Sequence, residues 1–583
     1  MRAARLLRAA PLLAALLVLA GCASVPGHSS VQVLRQTGDP AASATPAGPV
    51  DGSDPLNLVR GFVYASGRPA DRHGAARRYL APQASAWDDG AALTILDEQF
   101  DTVFSPAPPV GLGPDRASVR IRGTRLGTLD PSGAFRSAPA PVEVDVGVAR
   151  RGGQWRIDGP PPGVFVRLSD FRANFRSLKA WYVDPVHRTL LSDPRYVPSG
   201  RTTELAARAV ELLLRGPSED LRDAAVTSFP RGASLRANLS ETADGVVVAD
   251  FNGVDALTEP ARRLLAGQLA LTLAEVNVPR VRVLSDGEPL LPGHPDVSRD
   301  DFADLVAGPP PSQAPDPLVV DGGKVRALTG PGQDAPVGGQ AGNGSFDVVD
   351  AAASSRTNRI AVVSREQAGT QRLLVGPRDG QLVATPVSGA TLASPTWNAA
   401  GDEIWVLADG VPQRVSVPGA GSGVAGPIRI LGLDVSELRA AGPLGDLSLS
   451  PDGSRVAAVA GGHAVVGAVV IGPDGRAAVR RVRAVRPVEL GRALALDWRA
   501  TDQLVVTTNT DTPIQLVSVD GLTLDPLSSV NLTPPLRAVA AAPGRAPYLV
   551  ADRTGVWSYA GGDLDAWQQM LGATSSAQPF YPG

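Results

Sequence analysis

Five segments in the C-terminal half share one pattern, a turn followed at once by a short apolar strand. They are Arg356-Thr357-Asn358-Arg359-Ile360, Ala400-Gly401-Asp402-Glu403-Ile404, Pro451-Asp452-Gly453-Ser454-Arg455-Val456, Ala500-Thr501-Asp502-Gln503-Leu504 and Pro543-Gly544-Arg545-Ala546-Pro547-Tyr548. Their last residues lie 44, 52, 48 and 44 apart. That interval matches one four-stranded propeller blade, a unit that cannot bury its faces alone and must stack on copies of itself. Residues 324–583 therefore predict an all-β propeller of five or six blades. Sequence near Val325 to Leu328 would complete the ring with the C-terminal strands, and closure would shield strand edges from other chains. The competing fold is a β-sandwich with irregular hairpins.

The chain has 583 residues, too many for one core at about 150 per domain. Asp54-Pro55 is an N-cap followed by a first-turn proline, and Leu56, Val59, Phe62 and Val63 follow at helical spacing. A short helical stretch at Ala75 to Leu80 comes next, then strands at Thr102 to Phe104, Ser118 to Leu126 and Val142 to Ala149, with an Arg151-Gly152-Gly153 hairpin onto Trp155 and Ile157. Helices followed by a meandering antiparallel sheet predict an α+β domain over 54–165. A second α+β domain is expected over 178–290. Its elements are strands at Leu178 to Val183 and Arg188 to Leu191, helix Thr203 to Arg215 stopped by Gly216-Pro217, strand Val246 to Phe251, helix Arg262 to Val276 and strand Val281 to Leu284. That β-α-β-α-β order implies one compact sheet carrying the helices. Residues 307–323, with Pro309-Pro310-Pro311, Pro315 and Pro317, read as an extended linker.

Cys22 is the only cysteine, so no intrachain disulfide and no CxxC site can form. Arg2, Arg5 and Arg8 precede the apolar run Ala9 to Ala20, too short to span a bilayer as a mature helix, and 1–21 reads as a signal peptide. The run ends Leu19-Ala20-Gly21-Cys22, which looks like a bacterial lipobox: small residues before the cut, then the cysteine whose thiolate takes a diacylglyceryl group. Residues 22–53 are then a lipidated N-terminus with palmitate-type acyl chains and a disordered tether rich in Ala, Ser, Pro and Gly. Two or more acyl chains hold a protein stably on a membrane where one does so only marginally. No later segment approaches 18 consecutive apolar residues.

Lys+Arg 55 against Asp+Glu 58 gives a net charge of −3, which does not suit a nucleic-acid binder. Only Lys179 and Lys324 are lysines, the usage of a GC-rich genome. His28, His73, His187, His294 and His463 are scattered without ligand spacing, so no metal site is expected, and no cofactor. The chain has no phosphate-cradling GxxxxGK[ST] and no GxSxG elbow. Gly421-Ser422-Gly423-Val424-Ala425-Gly426 matches GxGxxG, but the strand-like Pro427 to Ile430 follows where a dinucleotide site needs a helix. Asp88-Asp89 and Asp300-Asp301 read as solvated turn carboxylates, and Trp397, Trp405 and Trp498 as core between blades. Arg480 to Arg486 reads as a strand with a basic exposed face, a solvated edge or a contact for acidic polymers. No catalytic residue is expected; Cys22 is the one candidate site, for lipidation.

The order lipobox, α+β domain, α+β domain, propeller resembles the actinobacterial LpqB lipoproteins over essentially the whole mature chain. In the first domain the resemblance rests on Asp54-Pro55 through Phe62, Ala75-Ala76-Arg77-Arg78-Tyr79-Leu80 and Trp155-Arg156-Ile157. In the second, Leu212-Leu213-Leu214-Arg215-Gly216-Pro217-Ser218, Val246 to Phe251 and Gln268 to Leu273 look like a GerMN module. The propeller turns are similar to TolB-type repeats, although only Pro451-Asp452-Gly453 among them keeps the Pro-Asp-Gly core. The resemblance implies a non-enzymatic protein on the extracytoplasmic face of the cell membrane. It would act as an accessory of the two-component sensor histidine kinase MtrB, modulating envelope homeostasis and division. The alternative from another class is a propeller-based envelope carbohydrate-binding protein or hydrolase, which convergent carboxylates and aromatics in the channel would favour.

Overall fold

Asp54 starts the first helix, Pro55–Ser66, by accepting from the Leu56 and Asn57 amides at 2.9 and 3.0 Å. These are two of the donors that every helix start leaves without intrahelical partners. The buried Leu58, Val59, Phe62 and Val63 stripe packs on a five-stranded sheet. Its strands are β1 (Leu93–Phe104), β2 (Arg116–Leu129), β3 (Phe135–Arg151), β4 (Gln154–Gly159) and β5 (Val164–Arg167), in the order β4-β3-β2-β1-β5. The computed structural model describes residues 48–583 except 107–112, 307–314, 367–368, 420–423, 425, 562–564, 573 and 575.

The expected antiparallel meander covers β1 to β4, but β5 pairs parallel to β1. β1 also begins at Leu93, well before Thr102. Asp97-Glu98-Gln99 interrupts the apolar alternation there, and the pairing with β2 shifts register between Leu96 and Phe100 to accommodate them. The helical stretch placed at Ala75 to Leu80 ends earlier, at Arg77, within Ala70–Arg77, whose Asp71, Arg72 and His73 are left-handed.

In the second domain β6 (Phe175–Val183) and β7 (Leu190–Pro198) form a separate two-stranded sheet. Val247–Asn252 and Val281–Ser285 pair in parallel in another, so the single sheet expected from the β-α-β-α-β order is in fact two. The helix Glu259–Ala274 explains the split. It is buried continuously from Leu264 to Thr272 and on to Leu273, with Leu265 and Leu269 in the main domain core and Leu264 and Leu271 against Val183 and Leu190. A helix apolar on all sides is one that packs on all sides.

Among the described residues the C-terminal region is a propeller of six sheets, five of four strands and one of five. The inner strands Asp347–Ala353, Leu392–Trp397, Leu444–Leu449, Ala493–Ala500, Ala538–Ala540 and Gln578–Phe580 neighbour one another in a closed ring. Gln578–Phe580, from the C-terminal end, pairs with Leu318–Asp321, the strand that opens the propeller, and Lys324–Gly330 lies beyond it. Leu318–Asp321 therefore corrects the reading of 307–323 as linker: its last residues are already a buried strand. Each of the five repeated turns joins an inner strand to the next strand outward. The sixth joint is where the two ends of the propeller meet, which is why six blades carry only five turns. At Gly401 the backbone is left-handed (φ +73), and a Cβ would lie 2.5 Å from Ser354 Oγ of the preceding blade.

Candidate functional site

The two α+β domains are docked on the propeller by polar contacts that no sequence spacing reveals. Asp193 of β7 is 2% exposed and Arg195 is not exposed at all; Arg195 Nη2 donates to Asp193 Oδ2 at 2.7 Å. The Ser218 amide and hydroxyl donate to the same carboxylate at 2.8 and 3.0 Å. From the propeller, Arg455 Nη1 donates to the Ser192 carbonyl at 3.1 Å and Nη2 lies 3.8 Å from Asp193 Oδ1. Burial pushes the Asp193 carboxyl up, but Arg195 and Arg455 outweigh it and hold the group below the ordinary carboxylate range. Ser192 Oγ and Thr501 Oγ1 are 2.7 Å apart, Lys179 Nζ is 2.9 Å from Asp502, and the Tyr196 hydroxyl donates to Asp520 at 2.8 Å. Three of these propeller groups, Arg455, Thr501 and Asp502, come from the repeated turns. The turns thus serve as the docking face as well as the joints of the blades.

The first domain joins the same junction. Leu522, from the propeller loop after Asp520, is buried in that domain's core together with Phe175 and Tyr196. Arg195 Nη1 donates to the Ser132 carbonyl at 2.6 Å, so one guanidinium touches two domains.

The arginine run has a different role from either expected one. Ala477–Ala484 belongs to the blade built on Leu444–Leu449, with only the short Leu433–Asp434 strand outside it, and its basic groups meet an acidic loop of the second domain. Arg483 reaches Asp220 at 2.8 Å, and Arg481 lies 3.5 and 3.4 Å from Glu219 and Asp223. The acidic partner is within the chain. Its sequence signal, Glu219-Asp220-Leu221-Arg222-Asp223, lies about 260 residues upstream.

The propeller channel, with a cavity of about 420 Å³, is lined by Asp350, Asp446 and Asp497 from three inner strands. Each carboxylate accepts an amide of a neighbouring blade: Asp350 from Ser394 (2.8 Å), Asp446 from Leu496 (3.0 Å) and Asp497 from Ala541 (2.9 Å). They are clasps between blades, recurring at blade spacing. Trp397 and Trp498 pack between blades as expected, their indole N–H groups donating to the carbonyls of Ala352 and Ser448 in the blade before. The convergent carboxylates that would favour a channel enzyme are present, but they are engaged in holding the ring.

Burial pushes Asp350 and Asp497 up to about 7, with Asp446 adding like-charge repulsion to each. Native protein then keeps these protons to near pH 7 while the unfolded chain releases them at the ordinary carboxylate value, so the two groups make stability fall as pH rises through that window. A pKa unit corresponds to 1.36 kcal/mol, discounted here because both carboxylates are part-exposed. Between pH 5 and 8 the wild type should lose on the order of 1 kcal/mol more unfolding free energy than Asp497→Asn. Denaturant titrations at the two pH values check this, and equal slopes would contradict it.

The remaining sequence candidates are structural or undescribed. Asp89 pairs with Arg72 and Arg77, and Asp301 closes a capping box with Ser298. Most of the GxGxxG segment lies outside the described residues, and Arg429–Leu431 after it is a strand. Cys22 also lies outside the described residues. Among the described residues no group of three or more His, Cys, Asp or Glu could hold a metal ion.

Two α+β modules clamped to a six-bladed propeller define a multidomain scaffold with wide, fixed surfaces. Family models match in the same order: "Lipoprotein LpqB, N-terminal domain" over 48–172, "Sporulation and spore germination" over 179–291 and "Lipoprotein LpqB beta-propeller domain" over 324–582. Lipoprotein LpqB of Nocardia farcinica is 34% identical over 100% of both chains. That of Mycolicibacterium smegmatis is 32% identical over 92% of both. Among solved structures, the putative TolB of Agrobacterium tumefaciens is 16% identical, covering 38% of this chain and 79% of its own, at a TM-score of 0.28. The chain belongs to the LpqB lipoprotein family. Membership makes it a membrane-associated lipoprotein, and the family names carry no enzymatic activity. Among the described residues no helix is long and apolar enough to cross a membrane.

Proposed function

We propose that the chain is anchored through lipidated Cys22 on the extracytoplasmic face of the cell membrane, where it binds and modulates an MtrB-like sensor histidine kinase. The observation that carries the anchor is positional: the only cysteine in 583 residues ends the apolar run at Leu19-Ala20-Gly21-Cys22. Lipid chains on that sulfur hold the protein at the surface where a kinase sensor domain emerges. Binding by surface needs no catalytic group, and the docked domains supply surfaces of fixed relative position. A platform held by buried ion pairs presents epitopes from several domains at once, which lowers the ordering cost of association.

Crosslinking in native membranes followed by affinity purification tests the partner. A sensor kinase should be enriched with the wild type and reduced when Arg481 and Arg483 are both replaced by Glu, because the platform is then pried open at its acidic loop. Recovery of no kinase under conditions that retain other membrane contacts would contradict the partner assignment.

A further inference from the structure

A cavity of about 100 Å³ lies between the second domain and the propeller, walled by the β6–β7 turn on one side and by the blades of Leu392–Trp397 and Leu444–Leu449 on the other. Its lining is mostly apolar, with Trp405, Leu449, Val469 and Ile471 from the blades and Leu191 from β7. Junctions between domains with apolar walls and a few polar groups are where small ligands bind.

The polar groups are unevenly compensated. Glu403 is paired with Arg414 at 2.7 Å, and Asp184 with His187 at 2.7 Å. Asp452 is 4% exposed, and its Oδ1 is held by neutral donors, the hydroxyls of Ser450 and Ser454 and the Ser454 amide. Its Oδ2 has no hydrogen-bond donor and is shielded from solvent. A buried carboxylate oxygen left without a donor is costly, and a charge-assisted donor is what relieves it.

We propose that this cavity binds a small primary alkylammonium ion, its chain against the apolar walls and its ammonium group taken up by Asp452 after the carboxylate turns toward the cavity. The size fits a short aliphatic chain: a cavity of about 150 Å³ accommodates benzene, and this one is smaller. A cation suits the wall because Asp452 Oδ2 is a buried carboxylate oxygen with no donor. Because both domains line the cavity, occupancy favours the docked state by mass action.

Calorimetric titration of the detergent-solubilised full-length protein with methyl-, propyl-, butyl- and hexylammonium, butanol and butyrate tests this. Affinity should rise about fourfold per methylene up to the butyl chain and then level or fall. Butylammonium should bind at least tenfold tighter than butanol, and butyrate should not bind. Asp452→Asn should weaken butylammonium at least tenfold. Asp452 also organises its own turn, so a second variant is needed. Ala399→Leu, on a half-exposed turn at the cavity wall, should abolish binding with the melting temperature kept. The proposal is overturned if no ammonium saturates, if butyrate matches butylammonium, or if both variants bind as wild type does.

Discussion

Asp193→Ala should lower the unfolding free energy by about 3–5 kcal/mol, the cost of leaving a buried charge without its partner. Arg195 has no solvent exposure and Arg455 is 4% exposed, so neither guanidinium can turn to water once the carboxylate is gone. The same carboxylate holds the Ser218 amide and hydroxyl, which fix the start of the acidic loop that meets Arg481 and Arg483. One substitution therefore loosens the second domain internally and along two of its contacts with the propeller. The pH dependence has a definite sign. The folded carboxyl sits below its ordinary value, so its contribution is present above that value and is lost as pH falls through the lower, folded one. Chemical denaturation of wild type and variant at neutral pH and near pH 3 measures both effects. A loss under 1 kcal/mol at neutral pH would show that Asp193 does not hold the junction.

Cys22→Ser should move the protein from the membrane fraction to the soluble or secreted fraction almost completely. The variant keeps the basic residues and apolar run of the proposed export signal but has no thiol to acylate. Acyl chains on Cys22 are the proposed source of membrane affinity, and the variant cannot carry them. Fractionation with immunodetection and mass spectrometry of the N-terminal peptide distinguish the outcomes. An acylated cysteine in the wild type and a soluble variant support the anchor, whereas a variant retained on membranes contradicts it.

The propeller was legible because its information is periodic. The five turns recur at blade spacing and each occupies the same joint between inner and second strand, so a local pattern repeated often enough defines a global ring. Strand β5 was not legible, because Val164-Phe165-Val166 is short and buried on both faces and so shows no alternation. The split of the second domain into two sheets was hidden for the related reason that a helix apolar all round does not say which sheet it covers. The docking face was the least legible part. Arg480 to Arg486 looked like an exposed basic edge, since sequence shows the charge of a strand but not the opposite charge folded against it from Glu219 to Asp223. Asp350, Asp446 and Asp497 recur with the blades, and that recurrence was the signal that could have marked them as clasps.

The central claim is that the domains act as one docked platform, and a disulfide across the junction tests it most directly. Ser192 Oγ and Thr501 Oγ1 are 2.7 Å apart, so cysteines at the two positions are close to the separation that a disulfide requires. With Cys22 acylated as proposed, it has no free thiol to compete. The account predicts that the Ser192→Cys, Thr501→Cys variant links nearly quantitatively under mild oxidant, seen as one crosslinked peptide after proteolysis, with wild-type membrane localisation. Two thiols that stay reduced, under an oxidant that fully links a control pair within one blade, would contradict it.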